Sequence, residues 1–369
     1  MRDPIYFKRA LGALVGLVLV LGAAPLQAIN YVVLEGEEDH LREPRQKILP
    51  YGFYNDTTEL AVAAAYVVSG YFQPQMFIVG NAFTSSNGSN NLVAIFKDVQ
   101  IHERLFLDQS FMLADYGEIH SYQNGNSSFP DERAGSHDSD KDNYVDAEGS
   151  DRYYRTKFRY LLPIGDGASG PIHTFVIDDK GLLVEGSEAG AREWNPLTSG
   201  RTITELELFY RKQDLDTEDG GSSLLETSGV RFSLEYDNAD FYQNPTRGSR
   251  QRVAVFRDFG TLSQSIPWTS VELEATKYFN IGATDTAAQR VLATTMWWAD
   301  APTWDSSSRI DGKKQFHRPP LFAGATLWGA RSHEGLQHQP FSRSLRRALR
   351  GGVSPYAQGQ PIPANPTAG

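Results

Sequence analysis

The sequence predicts an all-β fold in the form of an antiparallel transmembrane β-barrel, and three observations support this prediction. Segments of about ten residues alternate between apolar and polar side chains, which is the period of a half-buried strand. Aromatic residues make up 12% of the chain and Gly contributes 33 residues, a composition that favours strands and turns. The N-terminal segment has the pattern of an export signal.

Composition and charge exclude several classes of function. The formal net charge is −10 at pH 7, whereas a nucleic-acid-binding protein needs a basic face, so no nucleic-acid partner is expected. The chain has no Cys and therefore no disulfide scaffold, no thiolate metal site and no Cys nucleophile.

Residues 1–28 predict a cleaved export signal. Arg2, Lys8 and Arg9 form a basic start, and Ala10–Ala24 is an uninterrupted apolar run. As a helix this run would rise only about 22 Å, which is short of the roughly 30 Å core of a bilayer. A membrane anchor is therefore the weaker alternative, and we expect the mature chain to be exported to the outer membrane.

The alternating pattern predicts which side chains face lipid. Between Thr204 and Tyr210, and again between Val230 and Asp237, apolar residues occupy every second position and polar, mostly charged residues lie between them. Apolar side chains that face outward and polar ones that face a lumen are typical of outer-membrane barrels. The predicted lipid-facing residues are Leu206, Leu208, Phe232, Leu234, Val271 and Leu273.

The strands of a soluble β-sandwich also alternate between apolar and polar side chains, because one face of each sheet contacts water. The barrel is favoured because the segments are long, several end in aromatic residues and the chain carries an export pattern. A secreted β-sandwich enzyme or lectin stays the alternative. About twelve strands are predicted: Glu59–Phe72, Gln75–Phe83, Leu92–His102, Arg104–Gln123, Arg152–Ile164, His173–Glu185, Thr202–Leu215, Leu224–Asp237, Gln251–Leu262, Ser270–Ile281, Arg290–Ala299 and Pro320–Thr326.

The longest predicted loop, Asn124–Asp151, is acidic. Within it Asp138, Asp140 and Asp142 are spaced like the opening of a calcium-binding loop. The match then fails, because Asn143 stands where that loop needs Gly and Gly149 where it needs Glu. A solvated surface loop is the simpler interpretation, with a weak divalent-cation site as the alternative.

The sequence predicts no enzyme and no cofactor. The His residues form no H-E-x-x-H pair, and neither a nucleophile elbow nor a phosphate-binding glycine fingerprint is present. Two pairs of carboxylates, Glu205 with Glu207 and Glu272 with Glu274, share strand faces as a glycosidase pair would. Lumen-facing polarity explains both pairs more simply.

The stretch Glu235–Gly248 is the most specific in the chain. A strand ends in an Asp-rich turn, and an Asn-Pro-Thr-x-Gly segment starts the next strand. This stretch resembles a signature of the surface-antigen superfamily of outer-membrane β-barrels, the BamA/TamA-like group of barrel-assembly proteins. A turn role without catalysis is predicted for Asp237, Asn238, Asp240, Asn244, Pro245 and Gly248, because Asx side chains bond their own backbone, Pro fixes φ and Gly tolerates positive φ.

The resemblance extends over roughly Leu49–Leu327, and it implies a sixteen-stranded barrel. Two further segments, Trp268–Phe279 and Thr294–Trp304, are similar to later strands of that family. Arg318–Leu327 is similar to the segment that leads into the family's long inward loop. The implied partners are outer-membrane lipid and the barrel-assembly machinery that inserts such proteins; the resemblance leaves a soluble partner unknown. Residues 29–48 form only a short periplasmic lead, so the resemblance implies a member without POTRA domains.

Residues 328–369 do not continue the barrel pattern. Gly329–Gly369 carries five Arg and one acidic residue, alternation stops, and Pro residues cluster at the end. A forward shift of one base after Leu327 permits strings that resemble the inward-loop motif and the next strand of that family. We therefore expect an aberrant, frameshifted tail and a barrel that lacks its last strands, so that this product folds poorly or does not function.

The sequence is consistent with three functions. The first is a barrel related to assembly or translocation proteins, the second is a passive channel or structural barrel, and the third is the secreted β-sandwich enzyme or lectin.

Overall fold

The structure is a computed structural model that describes residues 30–36, 44–122, 128, 143–262, 265–285, 287–310, 312–320, 323 and 354–355. Strands dominate it. In chain order they are β1 (Asn30–Leu34), β2 (Arg45–Asn55), β3 (Glu59–Ser69), β4 (Phe77–Ser85), β5 (Asn90–His102), β6 (Leu105–Ser121), β7 (Val145–Leu161), β8 (His173–Ile177), β9 (Arg201–Thr217), β10 (Ser222–Asp237), β11 (Gly248–Asp258), β12 (Trp268–Asn280), β13 (Val291–Asp300), β14 (Ser307–Ile310), β15 (Lys313–Phe316) and β16 (Ser354–Pro355). A short 3-10 helix covers Gly165–Ser169.

One large sheet organises the described residues. It is 12-stranded, in the order β16-β13-β12-β11-β10-β9-β7-β6-β5-β4-β3-β2, and all of its neighbouring strands pair antiparallel. The predicted all-β, antiparallel class is confirmed. Over the described residues the sheet is not closed, since β2 lies at one edge and β13 with the two-residue β16 lies at the other.

Among the described residues, no helix is long and apolar enough to cross a membrane.

Several sequence assignments differ from the structure. Strand β7 begins at Val145, inside the predicted loop Asn124–Asp151, because its first residues pair with the rim B ends of β6 and β9. His173–Glu185 was expected in the barrel, but β8 ends at Ile177 and pairs in parallel with β1, outside the large sheet. Strand β7 pairs directly with β9 instead, which leaves no place for β8 between them. Strand β2 begins within residues 29–48, which were expected to form the periplasmic lead. The sequence did not predict β2 because Pro50 lies inside it, and Pro donates no hydrogen bond to a neighbouring strand. An edge strand tolerates such a residue.

Several sequence predictions fall outside the described residues. They are the export signal over 1–28, the acidic triplet Asp138, Asp140 and Asp142, and nearly all of the tail over 328–369. Within that tail only Ser354 and Pro355 are described, opposite Ala293 and Leu292 at the edge of the sheet.

The sheet has two ends, here called rim A and rim B. Rim A is the end at which β2 begins, and the β3–β4, β5–β6, β7–β9, β10–β11 and β12–β13 connections lie there. Rim B is the opposite end.

Four strands, β6, β7, β9 and β10, are 16 or 17 residues long, whereas β11 has 11 and β4 has 9. The middle of the sheet is therefore built from the longest strands.

Rim A carries a small folded unit, here called the cap. The cap consists of β1, residues 162–200 with β8 and the 3-10 helix, and the β10–β11 turn at 238–247. Its own apolar core contains Phe175, Ala189 and Phe241, and Val32, Ile177, Leu183 and Tyr242 pack against it. The Phe175 and Phe241 ring centroids lie 5.1 Å apart, a favourable aromatic distance. The turn and the long β7–β9 connection thus fold together.

The β10–β11 turn is organised by the residues that the sequence marks as turn-forming. Asp240 Oδ1 accepts hydrogen bonds from the backbone of Phe241 at 2.9 Å and of Thr246 at 2.8 Å. Asn238 faces the β7–β9 connection, where its Oδ1 accepts a hydrogen bond from Ala191 N at 3.0 Å and its Nδ2 donates to Glu193 O at 2.8 Å. The turn therefore satisfies its own backbone and also binds the β7–β9 connection.

Gly248 starts β11 at a φ of 98°, and a Cβ at this position would overlap Asn238 O. We expect Gly248→Ala to lower the free energy of unfolding by at least about 2 kcal/mol, from backbone strain and this overlap together. Urea unfolding in detergent micelles measures the change.

Gly220→Ala is the matched control, because Gly220 also has positive φ, 80°, but nothing lies within 4 Å of its missing Cβ. It isolates the cost of φ alone, about 1 kcal/mol. Equal losses in the two variants would show that the contact with Asn238 is unimportant.

Candidate functional site

The two faces of the sheet differ sharply in chemistry. On β9, Glu205 and Glu207 are buried, with exposed fractions of 2% and 1%, while Leu206 and Leu208 between them are exposed by 44% and 46%. Strand β10 repeats the pattern, since Arg231, Ser233 and Glu235 are buried and Phe232 and Leu234 are exposed. We call the charged face inner and the apolar face outer.

Five charged side chains form the centre of the inner face, here called the inner charge cluster: Arg155, Lys157, Glu205, Glu207 and Arg231. Glu207 pairs with Arg155 at 2.9 Å and Arg231 at 3.5 Å, and Lys157 Nζ lies 3.7 Å from it. Glu205 lies 3.8 Å from Lys157 and accepts a hydrogen bond of 2.5 Å from Ser233 Oγ. Three cations and two carboxylates thus form a network of ion pairs across β7, β9 and β10.

The pairing continues towards β11 and β12. Arg250 donates to Asp237 at 2.8 Å, and its Nε lies 3.8 Å from Glu235. Arg252 donates to Glu274 at 2.8 Å and lies 4.0 Å from Glu272. Both carboxylate pairs that the sequence identified therefore lie on the inner face, in ion pairs with cations of neighbouring strands.

A separate ion pair lies on the inner face near rim A. Arg159 is only 1% exposed and forms ion pairs with both Asp98 and Asp108, the latter at 2.8 Å. Asp98 sits at an irregularity in the β5–β6 register and has a φ of 60°. Its backbone N donates to Asp108 at 2.9 Å. The bulge orients the carboxylate of Asp98 towards the guanidinium of Arg159, and bulges commonly reorient a side chain in this way.

Burial of so many charges requires that they be paired. The inner charge cluster is packed by its own members and by rings, since Arg231 lies 4.9 Å from the Phe256 ring centroid and Arg155 lies 5.0 Å from that of Tyr153. At this level the inner face is a packed layer. Its chemistry is that of a structural network in which each carboxylate is neutralised by neighbouring cations.

The outer face carries the residues that the sequence assigned to lipid. Leu206, Leu208, Phe232, Leu234 and Leu273 are exposed, and Val271 is half-buried. The apolar stretch ends towards rim B at Tyr154 and Tyr210, whose ring centroids lie 6.0 Å apart on neighbouring strands. Beyond them the outer face turns polar, with Arg152 and Lys212 in direct register.

Two half-buried rings of the cap, His173 and Tyr242, have pKa values shifted so that the neutral form is favoured. Burial lowers the pKa of His173, whose Nε2 lies 2.9 Å from the carbonyl oxygen of Ser187. Burial also raises the pKa of Tyr242 to about 12. Both rings are therefore uncharged near pH 7.

No family model matches the sequence, and no curated protein matches it. Among solved structures, the chain is similar to BamA from Haemophilus ducreyi lacking POTRA domains 1–3, with 12% identity and a TM-score of 0.33. The similarity covers 73% of this chain and 42% of that chain, so the chain spans less than half of that protein's solved length. Similarity at this level assigns neither a family nor an activity, and the fold class rests on the strand pairing.

Glu207 offers a test of the inner charge cluster. We expect Glu207→Gln to lower the free energy of unfolding by about 3–5 kcal/mol, because the change leaves Arg155, Lys157 and Arg231 with one buried carboxylate fewer. Urea unfolding of the refolded chain in micelles measures the loss.

Asp115→Asn is the control, since it removes a carboxylate from a single ion pair with Arg152 whose side chains are 60% and 32% exposed. Such pairs contribute at most about 1 kcal/mol. If the two variants unfold at the same urea concentration, the inner charge cluster is not a buried network.

Proposed function

We propose that this protein is an outer-membrane β-barrel protein whose outer face contacts lipid and whose inner face is a packed, charged layer. The observation that carries the proposal is the division of the two faces on β9 and β10, with carboxylates and Arg231 buried on one side and Leu and Phe exposed on the other. A soluble sheet places its apolar face in the core and its charged face in water. Here the arrangement is reversed, as in a membrane barrel.

The extent of the exposed apolar surface supports the same proposal. Exposed large apolar side chains occur on β2, β3, β9, β10, β11, β12 and β13, so they run across the sheet rather than lying in one isolated patch. Soluble proteins rarely expose contiguous apolar surface of this kind. The aromatic pair Tyr154 and Tyr210, at the end of the apolar stretch, is typical of a membrane interface.

The inner charge cluster favours a structural or assembly-related barrel over a passive channel. A conducting lumen needs water along its axis, whereas Glu205, Glu207 and Arg231 are 1–2% exposed. The resemblance of Glu235–Gly248 to the surface-antigen signature supports a relationship to barrel-assembly proteins.

Heat-modifiable gel mobility tests the proposal most directly. The chain is refolded in detergent micelles, and the same sample is run with and without boiling. A folded barrel migrates differently before boiling, and expressed protein should require detergent for extraction from membranes. Identical mobility together with release into the soluble fraction would support the secreted β-sandwich instead. Large unitary conductance in planar bilayers would favour the passive channel.

The facing of β9 can be tested by introducing a charge. We expect Leu206→Arg to cost about 2–4 kcal/mol of folding free energy in lipid vesicles, because the guanidinium would lie in the hydrocarbon. The yield of heat-modifiable protein after refolding into vesicles is the measurement.

Asp216→Arg is the matched control on the same strand and face. Asp216 is exposed and lies beyond Tyr210 towards rim B, so we expect a refolding yield close to that of the parent chain. Equal tolerance of both substitutions would contradict lipid contact at Leu206.

A further inference from the structure

The rim B ends of β6 and β7 bring together three side chains that the sequence did not single out. His120 and Asp146 are directly opposite each other in the β6–β7 register, and Glu118 precedes His120 by two residues on the same strand. One ligand atom from each of the three lies within 4.8 Å of the other two. All three side chains are half-buried and lie in the polar part of the sheet, beyond Tyr154 and Tyr210.

The contact between His120 and Asp146 has the spacing of two metal ligands. His120 Nε2 lies 3.6 Å from Asp146 Oδ1, which is too far for a hydrogen bond. Two ligand atoms that bind one tetrahedral cation at 2.0–2.1 Å lie about 3.4 Å from each other. Asp146 Oδ1 is also shielded from solvent and accepts no hydrogen bond from the described residues. A buried carboxylate oxygen without a donor needs a cation or a water molecule.

The backbone and a neighbouring ring hold these ligands in place. The imidazole of His120 stacks on Tyr144, with ring centroids 3.5 Å apart and planes inclined by 9°. The carbonyl oxygen of Asp146 accepts a hydrogen bond of 2.9 Å from Glu218 N in the β9–β10 turn. The two interactions restrict the imidazole of His120 and the backbone of Asp146 before any ion binds, which lowers the entropic cost of binding.

A bulge sets the direction of Glu118. The β6–β7 register shifts between Tyr116 and Ile119, and Gly117 within the shift donates its N–H to Ser89 Oγ at 2.9 Å. A Cβ at Gly117 would overlap Asn87 O, so the bulge is packed tightly against the β4–β5 turn. Glu118 is thereby fixed beside His120.

We propose that Glu118, His120 and Asp146 form a binding site for a divalent transition-metal cation of the Zn²⁺ type. One imidazole with two carboxylates suits Zn²⁺, whereas Ca²⁺ and Mg²⁺ prefer oxygen ligands throughout. The bound ion would join β6 to β7 at rim B and leave at least one coordination position for water. Such an ion links two strands where they extend past the apolar part of the outer face.

Isothermal titration of the refolded, chelator-treated chain in micelles tests the site, with ZnCl₂ as the probe. We expect one saturable equivalent of Zn²⁺ that tenfold excess MgCl₂ does not displace. His120→Gln and Asp146→Asn should each weaken binding at least tenfold. His102→Gln is the control, because His102 is exposed at the opposite rim, and it should leave binding unchanged.

Urea unfolding with and without ZnCl₂ gives an independent measurement. Saturating Zn²⁺ should raise the unfolding midpoint of the parent chain and of His102→Gln, but not that of Asp146→Asn. Absence of saturable binding in the parent chain, or equal binding in His120→Gln, would overturn the proposal. Heat-modifiable mobility of each variant reports separately on folding, so failure of the barrel and failure of the metal site give different results.

Discussion

The pairing of charges on the inner face is the constraint on which the rest of the structure depends. A charged side chain buried without a partner costs several kcal/mol, so each inner carboxylate needs a cation on a neighbouring strand. Glu207 meets Arg155 on one side and Arg231 on the other only when β9 is in its observed register with both β7 and β10. A slip of one residue would place these charges on the outer face and the leucines inside. The cluster and the outer apolar face thus specify the same register.

Rim A depends on a second, local constraint, the turn between β10 and β11. Asp240 bonds the backbone of its own turn, while Asn238 bonds the backbone of residues 191 and 193 in the long β7–β9 connection. Tyr236 OH donates to the carbonyl oxygen of Ser199 at 3.0 Å, which ties the same connection to the end of β10. The cap therefore owes its position to side chains that also end and restart the sheet.

The unequal strand lengths divide the molecule into chemically different levels. The long strands β7 and β9 carry apolar side chains on the outer face near rim A and polar ones beyond Tyr154 and Tyr210. If the apolar level lies in lipid, the polar level stands in water, where Glu118, His120 and Asp146 are accessible to ions. The proposed metal site and the proposed membrane contact thus occupy different parts of the same strands and do not compete.

Alternation in the sequence by itself determined most strands of the large sheet and the two faces of β9 and β10, because a period of two is a local property of the backbone. It also marked the turn at Asp237–Gly248, since Asx, Pro and Gly residues act on their own neighbours. Strand β8 was misplaced because its partner, β1, is far away in the sequence, and β2 was missed because only its edge position makes Pro50 acceptable. Only the tertiary structure decided which cations neutralise Glu207 and that His120 meets Asp146, which is 26 residues further along the chain. Strand register brings these side chains together, and register is fixed by pairing across the whole sheet rather than by any one segment.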